Sequence, residues 1–184
     1  MKITVEQIGE LVEQSKGENP RITRESLQAF LRNPHSEVNA KSVEYVVSVD
    51  YGMSLAEMIA AGQYGWKNSD INADNFPVAG EGIAETKLEL VHLNKKASTD
   101  EVEAYLEEND LRPATLAELL AFGTMFPEIQ RDFPVIALGS SCVRSDGNRF
   151  VPYLYRDGSE RSLNLSWDDH DWYEIFRFLA VRKS

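Results

Sequence analysis

Cysteine is nearly absent: Cys142 is the only one in 184 residues. A disulfide within the chain is therefore impossible, and a thiolate metal site or a Cys-x-x-Cys redox pair is excluded with it. Basic runs are missing too. No Lys/Arg run is longer than Lys95-Lys96, and the formal net charge is −11. Phosphate contact needs clustered Lys and Arg, so nucleic acid is not an expected partner. No apolar run approaches a membrane span, and the start, MKITVEQIGELVEQ, is amphipathic and charged, unlike a signal peptide. These absences predict a chain that is cytoplasmic by default, does not insert in a membrane, and reaches a cell surface only on a carrier. Gly-x-Ser-x-Gly, P-loop and HExxH signatures are missing as well. No cofactor is implied.

What remains is sufficient for a packed core. With 42% hydrophobic and 27% charged residues, the composition is globular. The length fits one domain with a small appendage. Part of the negative surplus is local: residues 151–176 hold Arg156 and Arg161 against six acidic side chains, a net of −4. Complementary charge would steer a basic or amide-rich partner toward that stretch.

Hydrophobic spacing predicts short helices over 3–13 and from Thr23 to Asn33, an N-terminal helical appendage spanning 1–40. With five basic and five acidic side chains in residues 1–35, a packing or oligomerisation role suits these helices better than DNA binding. The oligomeric state is not legible. Ser42 to Val49 reads as a strand, and Ser54 with Glu57 as a capping box opening a helix to Ala61. Residues 65–82 form a long polar connection with extended structure expected around Phe76-Val78. Lys87 to Leu93 alternates as a strand, with His92 expected inward as a core histidine. Ser98-Thr99 and Thr115 cap two helices. Pro134 to Leu138 reads as a buried strand, Arg149 to Tyr155 and Ser162 to Trp167 as hairpin arms, and Phe176 to Val181 as the closing strand. Strand, two helices, then antiparallel strands predict an α+β domain over 41–184.

One segment has no clean period. Asn164 to Phe176, NLSWDDHDWYEIF, mixes aromatics with short polar groups, the composition of a recognition surface. Two other chemistries fit there, and a third lies upstream. His170 with Asp168 or Asp171 suits acid–base catalysis. Ser140-Ser141-Cys142 would offer a nucleophile, though without a placed base. Asp168, Asp169 and Asp171 would offer oxygen ligands to calcium, but without the Gly and terminal Glu of an EF-hand loop. Neither a catalytic residue nor a metal site is assigned on these grounds.

The element order, together with Arg112, Pro113, Thr115 and Glu118 between the helices and the closing run Phe176 to Arg182, resembles the C-type lectin-like fold. Within that fold, calcium-dependent lectins carry Glu-Pro-Asn-like and Trp-Asn-Asp-like ligands and disulfides. Here Trp167-Asp168-Asp169 is a partial echo and Cys142 is alone. Formylglycine-generating enzymes need a cysteine pair. The remaining branch, the variable proteins of diversity-generating retroelements, mutates template adenines to diversify ligand-binding residues near the C-terminus.

That resemblance implies a receptor-type ligand-binding protein, not an enzyme, with a variable region of about 140–176 and a protein or cell-surface ligand. Asparagine codons randomised at both adenines never give Trp, Glu, Lys, Gln or Met. Trp167 and Trp172 are therefore expected to be scaffold, as are Arg177 and Phe178. The expected contact residues are Tyr155, Ser162, Asn164, Ser166, Asp168, Asp169, His170, Asp171, Tyr173, Ile175 and Phe176. The alternative is a non-variable structural or adhesion subunit of a phage or cell-surface assembly.

Overall fold

Three local switches start three helices. Helix α1 (Leu55–Ala61) follows Ser54, α2 (Thr99–Glu108) follows Ser98, and α3 (Leu116–Met125) follows Thr115. In each, the N-cap hydroxyl accepts from the N–H three residues on, and the glutamate there (Glu57, Glu101 or Glu118) accepts from the N-cap N–H. Two otherwise orphaned donors are satisfied reciprocally within four residues. A single turn, α4 (Ile129–Asp132), has no side-chain cap. The computed structural model describes residues 44–183 apart from His170; the helices expected in residues 1–40 lie outside the described residues.

Nine strands join one sheet among the described residues: β1 (Glu44–Asp50), β2 (Trp66–Lys67), β3 (Ile83–Val91), β4 (Leu111–Pro113), β5 (Val135–Ile136), β6 (Cys142–Val143), β7 (Arg149–Asp157), β8 (Glu160–Trp167) and β9 (Arg177–Arg182). The order is β1-β3-β9-β5-β7-β8-β2, with β4 on β9 and β6 on β7. The fold is mixed α+β. The last strand is central, not peripheral: β9 pairs antiparallel with β3 through Leu88↔Val181 and parallel with β5 through Ile136↔Phe178.

Each sheet face has its own core. Helices α1 and α3 bury Leu55, Leu119 and Phe122 against Val47, Leu88, Leu154 and Leu163. Helix α2 buries Val102 and Leu106 on the opposite face, with Ile136, Val151, Phe178 and Trp172. At the start of α3, Arg112 meets the buried Glu118 through two bonds, Nη1 to Oε2 at 3.0 Å and Nη2 to Oε1 at 2.6 Å. Pairing with Glu118 pushes the Arg112 pKa above its ordinary value. Arg112, Pro113, Thr115 and Glu118 thus act as a lock on one helix start.

Several expectations are corrected. The strand expected over 87–93 is β3, and it ends at Val91, so His92 is exposed rather than core. The long connection has no strand at Phe76-Val78. It is anchored by buried Ile71 and Phe76, and its ladder residues are Trp66 and Lys67 instead. The run Pro134 to Leu138 is buried at Val135 to Leu138, but only Val135 and Ile136 pair as strand.

Candidate ligand-binding surface

β7 and β8 form a hairpin through Asp157↔Glu160, turned at Gly158 with φ of 59°. Paired residues share a face, and alternate residues change face. The register puts Tyr155 with Ser162, Tyr153 with Asn164, and Val151 with Ser166 on the α2 side. The intervening Leu154, Leu163 and Leu165 enter the other core. The Tyr153 and Tyr155 rings stack at 5.0 Å. β2 extends this face from a distant part of the chain: Trp66 stands opposite Ser162, and the Asn68 amide donates to Asn164 Oδ1 at 2.8 Å. Asn164 in turn approaches the Tyr153 hydroxyl at 3.4 Å. The cluster beneath α2 takes no residue from β8 or β2.

Beyond β8 the chain crosses the α2 side as a loop over 168–176, held by side chains from outside it. Thr99, first residue of α2, donates through Oγ1 to the Asp168 carbonyl at 2.7 Å and accepts from Trp172 Nε1 at 2.9 Å. Ala97 and Trp172 exchange two backbone bonds, of 3.1 and 2.7 Å. Arg149 pairs with the Asp168 carboxylate at 2.9 Å. Lys96 pairs with Asp171 at 2.7 Å, which raises the Lys96 pKa above its ordinary value. His92 Nε2 lies 2.8 Å from the Glu174 carbonyl. Arg177 donates from Nη1 to the carbonyls of Glu174, Ile175 and Phe176 at 3.1 to 3.4 Å, while its guanidinium lies over the Phe133 ring at 4.4 Å. Burial pulls the Arg177 pKa below its ordinary value.

These anchors sort the expected site residues. Trp172 is 1% exposed and packs edge-on against Phe176 and Phe178 at 5.4 and 5.8 Å. Tyr173 and Ile175, in contrast, are 61% and 56% exposed, and Asp169 and Asp171 also face solvent. Tyr155, Asn164, Ser166 and Phe176 are half-buried. Two expected contact residues do not reach the surface: Ser162 is 1% exposed between the positions of Tyr155 and Trp66, and Asp168 is 7% exposed against Arg149. Trp167, expected as scaffold, is instead 41% exposed at the end of β8, opposite Phe150. His170 lies outside the described residues.

The sequence reading missed Tyr153, Thr99, Arg149, Lys96, Trp66 and Asn68, and read His92 as core. Only Tyr153 had an accessible signal, lying two residues before Tyr155 on the same arm. Most of the others come from distant segments, 69 residues away for Thr99 to Asp168 and 96 for Asn68 to Asn164, while Arg149 reaches Asp168 from the facing hairpin arm; no local pattern marks them.

Both carboxylates considered for acid–base work hold a cation, Asp168 with Arg149 and Asp171 with Lys96. No group of three or more His, Cys, Asp or Glu side chains placed to hold a metal occurs among the described residues. No helix among them is long and apolar enough to cross a membrane. Two concavities, of about 620 and 110 Å³, lie beside β3–β9 and between β1 and α3, and the loop lines neither. No protein-family model matches the chain, and no curated protein or solved structure shows significant similarity to it.

Proposed function

We propose that this chain is a receptor-type ligand-binding protein. It presents diversified C-terminal side chains on a C-type lectin-like scaffold, as in the variable proteins of diversity-generating retroelements, and its ligand is a protein surface. The observation that carries this reading is the division inside the 168–176 loop. Its backbone carbonyls and Trp172 are tied to Thr99, Ala97, His92 and Arg177, while Asp169, Asp171, Tyr173 and Ile175 project outward. Side chains exchanged at the outward positions leave those anchors in place, so specificity varies independently of stability.

Tyrosine supplies large contact area at low entropy cost, and short polar groups adapt their hydrogen bonds. A held backbone lowers the ordering cost of association. An exposed loop that lines neither concavity suits a macromolecular partner better than a small ligand, which needs concavity. The deciding experiment is to sequence the gene's surroundings and the same gene from related isolates. A neighbouring reverse transcriptase, and a near-copy of the gene's 3′ end differing at adenines, are expected. Absence of both would sink the retroelement reading while leaving a fixed binding or adhesion subunit.

A further inference from the structure

We propose that the α2-side face of β7, β8 and β2, at the hairpin-turn end beyond the cluster under α2, binds an arginine-bearing segment of a protein partner, with Trp66 and Tyr155 as its aromatic floor and Asp157 and Glu160 as its charge anchor. This deepens the ligand-binding reading above. It enlarges the surface with β2, which lies far from the C-terminal loop, and it names the chemistry of the ligand.

The argument begins with parity along the strands. Asp157 continues the column of Tyr153 and Tyr155, and Glu160, its register partner, continues the column of Ser162 and Asn164. The face is therefore graded. At one end Arg149 neutralises Asp168 at 2.9 Å. At the other, Asp157 and Glu160 are exposed and make no ion pair among the described residues.

Arg131 of α4, which donates to the Ser159 carbonyl of the hairpin turn at 2.9 Å, is paired with Glu128 at 3.1 Å. Arg156 is paired in register with Arg161, on the opposite face. Two uncompensated carboxylates thus stand beside the aromatic strip. Glu160 also lies against the strand that carries Trp66, since a Cβ at Gly65 would meet its Oε2 at 2.8 Å. Burial pushes the Tyr153 phenol up, Tyr155 and Asp157 push it the same way, and the hydrogen bond from Asn164 opposes them.

A planar guanidinium satisfies both elements of this face. It stacks on Tyr or Trp and pairs with carboxylates through a rigid fork of donors. The chain's net charge of −11 favours approach of such a partner from a distance.

The test uses the full-length chain and an array of short peptides bearing Arg, Lys, Glu or only neutral residues, with an oligosaccharide array run in parallel. Arg-bearing peptides should be retained over the other three classes, and retention should weaken as salt rises. Trp66→Ala and Tyr155→Ala should each weaken retention about thirtyfold, the scale of an aromatic hot spot. Because each truncation also removes packing from the sheet, the near-isosteric pair Asp157→Asn and Glu160→Gln provides a second arm. It should remove the preference for Arg over neutral peptides with the melting temperature unchanged.

Equal retention of all four peptide classes, retention of none, capture of oligosaccharides in their place, or a preference for Arg that survives the charge-removal pair would each overturn the proposal. Binding lost in Tyr173→Ala but unchanged in Trp66→Ala would reject this face and leave the receptor reading standing. Arg-dependent binding without any retroelement would do the reverse.

Discussion

The hydroxyl of Thr99 accepts a hydrogen bond from the Trp172 indole at 2.9 Å and donates one to the Asp168 carbonyl at 2.7 Å. One oxygen on α2 therefore ties both ends of a five-residue stretch of the outward loop. Replacing Thr99 by Val keeps the shape and removes both bonds, leaving a buried donor and a buried acceptor without this partner. The expected cost is about 1–3 kcal/mol in unfolding free energy. Thr99→Ser should restore most of it. Denaturant titration followed by Trp fluorescence checks the first number, and amide exchange across 168–172 should accelerate in Thr99→Val but not in Thr99→Ser.

Scaffold and contact positions should separate cleanly in stability. Trp172→Ala empties a site inside the α2-side core and should cost about 3–5 kcal/mol. Tyr173→Ala and Ile175→Ala, one and three residues further on, remove mostly solvated surface. Each should stay within about 0.5 kcal/mol of the parent. Equal losses at Trp172 and Tyr173 in thermal melts would contradict the division on which the receptor reading rests.

What the sequence disclosed follows the range of the physics involved. A capping box is decided within four residues, so Ser54/Glu57, Ser98 and Thr115 mark their helices without outside information. The alternation Ser162-Leu163-Asn164-Leu165-Ser166 likewise assigns a strand and its two faces. Burial of an aromatic in an irregular run depends instead on which distant element covers it. Trp172 is sealed by Ala97, Thr99 and Phe178, whereas Trp167, with the same side chain five residues earlier, sits in the last ladder pair of β8, opposite Phe150, and stays 41% exposed. His92 follows the inward period of β3, but the strand ends one residue before it, and the ring turns to the Glu174 carbonyl.

Arg161 offers a test of how the sheet is joined to its helices. Its guanidinium is buried and donates to the Gly62 carbonyl at 2.7 Å, to the Gly123 carbonyl, and to Gln130 Oε1 at 3.1 Å, with the Tyr64 ring 5.0 Å away. Gly62 is the C-cap of α1 and Gly123 lies in the last turns of α3, where a cation also meets the negative end of each helix. Arg161→Met should cost roughly 2–4 kcal/mol through the stranded carbonyls. Gly123→Ala normally gains helix propensity. Here the new Cβ would meet Tyr64 Oη at 2.5 Å and Leu154 Cδ1 at 2.6 Å, so overpacking should dominate, with a loss of roughly 1–3 kcal/mol. A stabilised Gly123→Ala in thermal melts would refute this packing.

Stability should fall in acid through groups that are individually exposed. The hydroxyl and backbone of Ser54 hold Glu57 below its ordinary pKa, the Ser98 backbone and Lys95 do the same for Glu101, and the Asn148 backbone does so for Asp146. A carboxylate whose folded pKa is depressed takes up a proton more readily in the unfolded chain. Its contribution is therefore present above the unfolded value and is lost as pH falls through the folded one. The denaturation midpoint should hold from neutral pH to about 5 and then decline toward pH 3, across the carboxylate range. Glu57→Gln should flatten that decline, because the amide can still accept from the Ser54 N–H but no longer titrates. Lys96 works in the opposite sense. Its pKa is raised by Asp171, so its contribution is complete below the ordinary lysine value and is lost only as pH climbs through the raised one. An alkaline decline that persists unchanged in Lys96→Met would show that this ion pair does not help hold the loop.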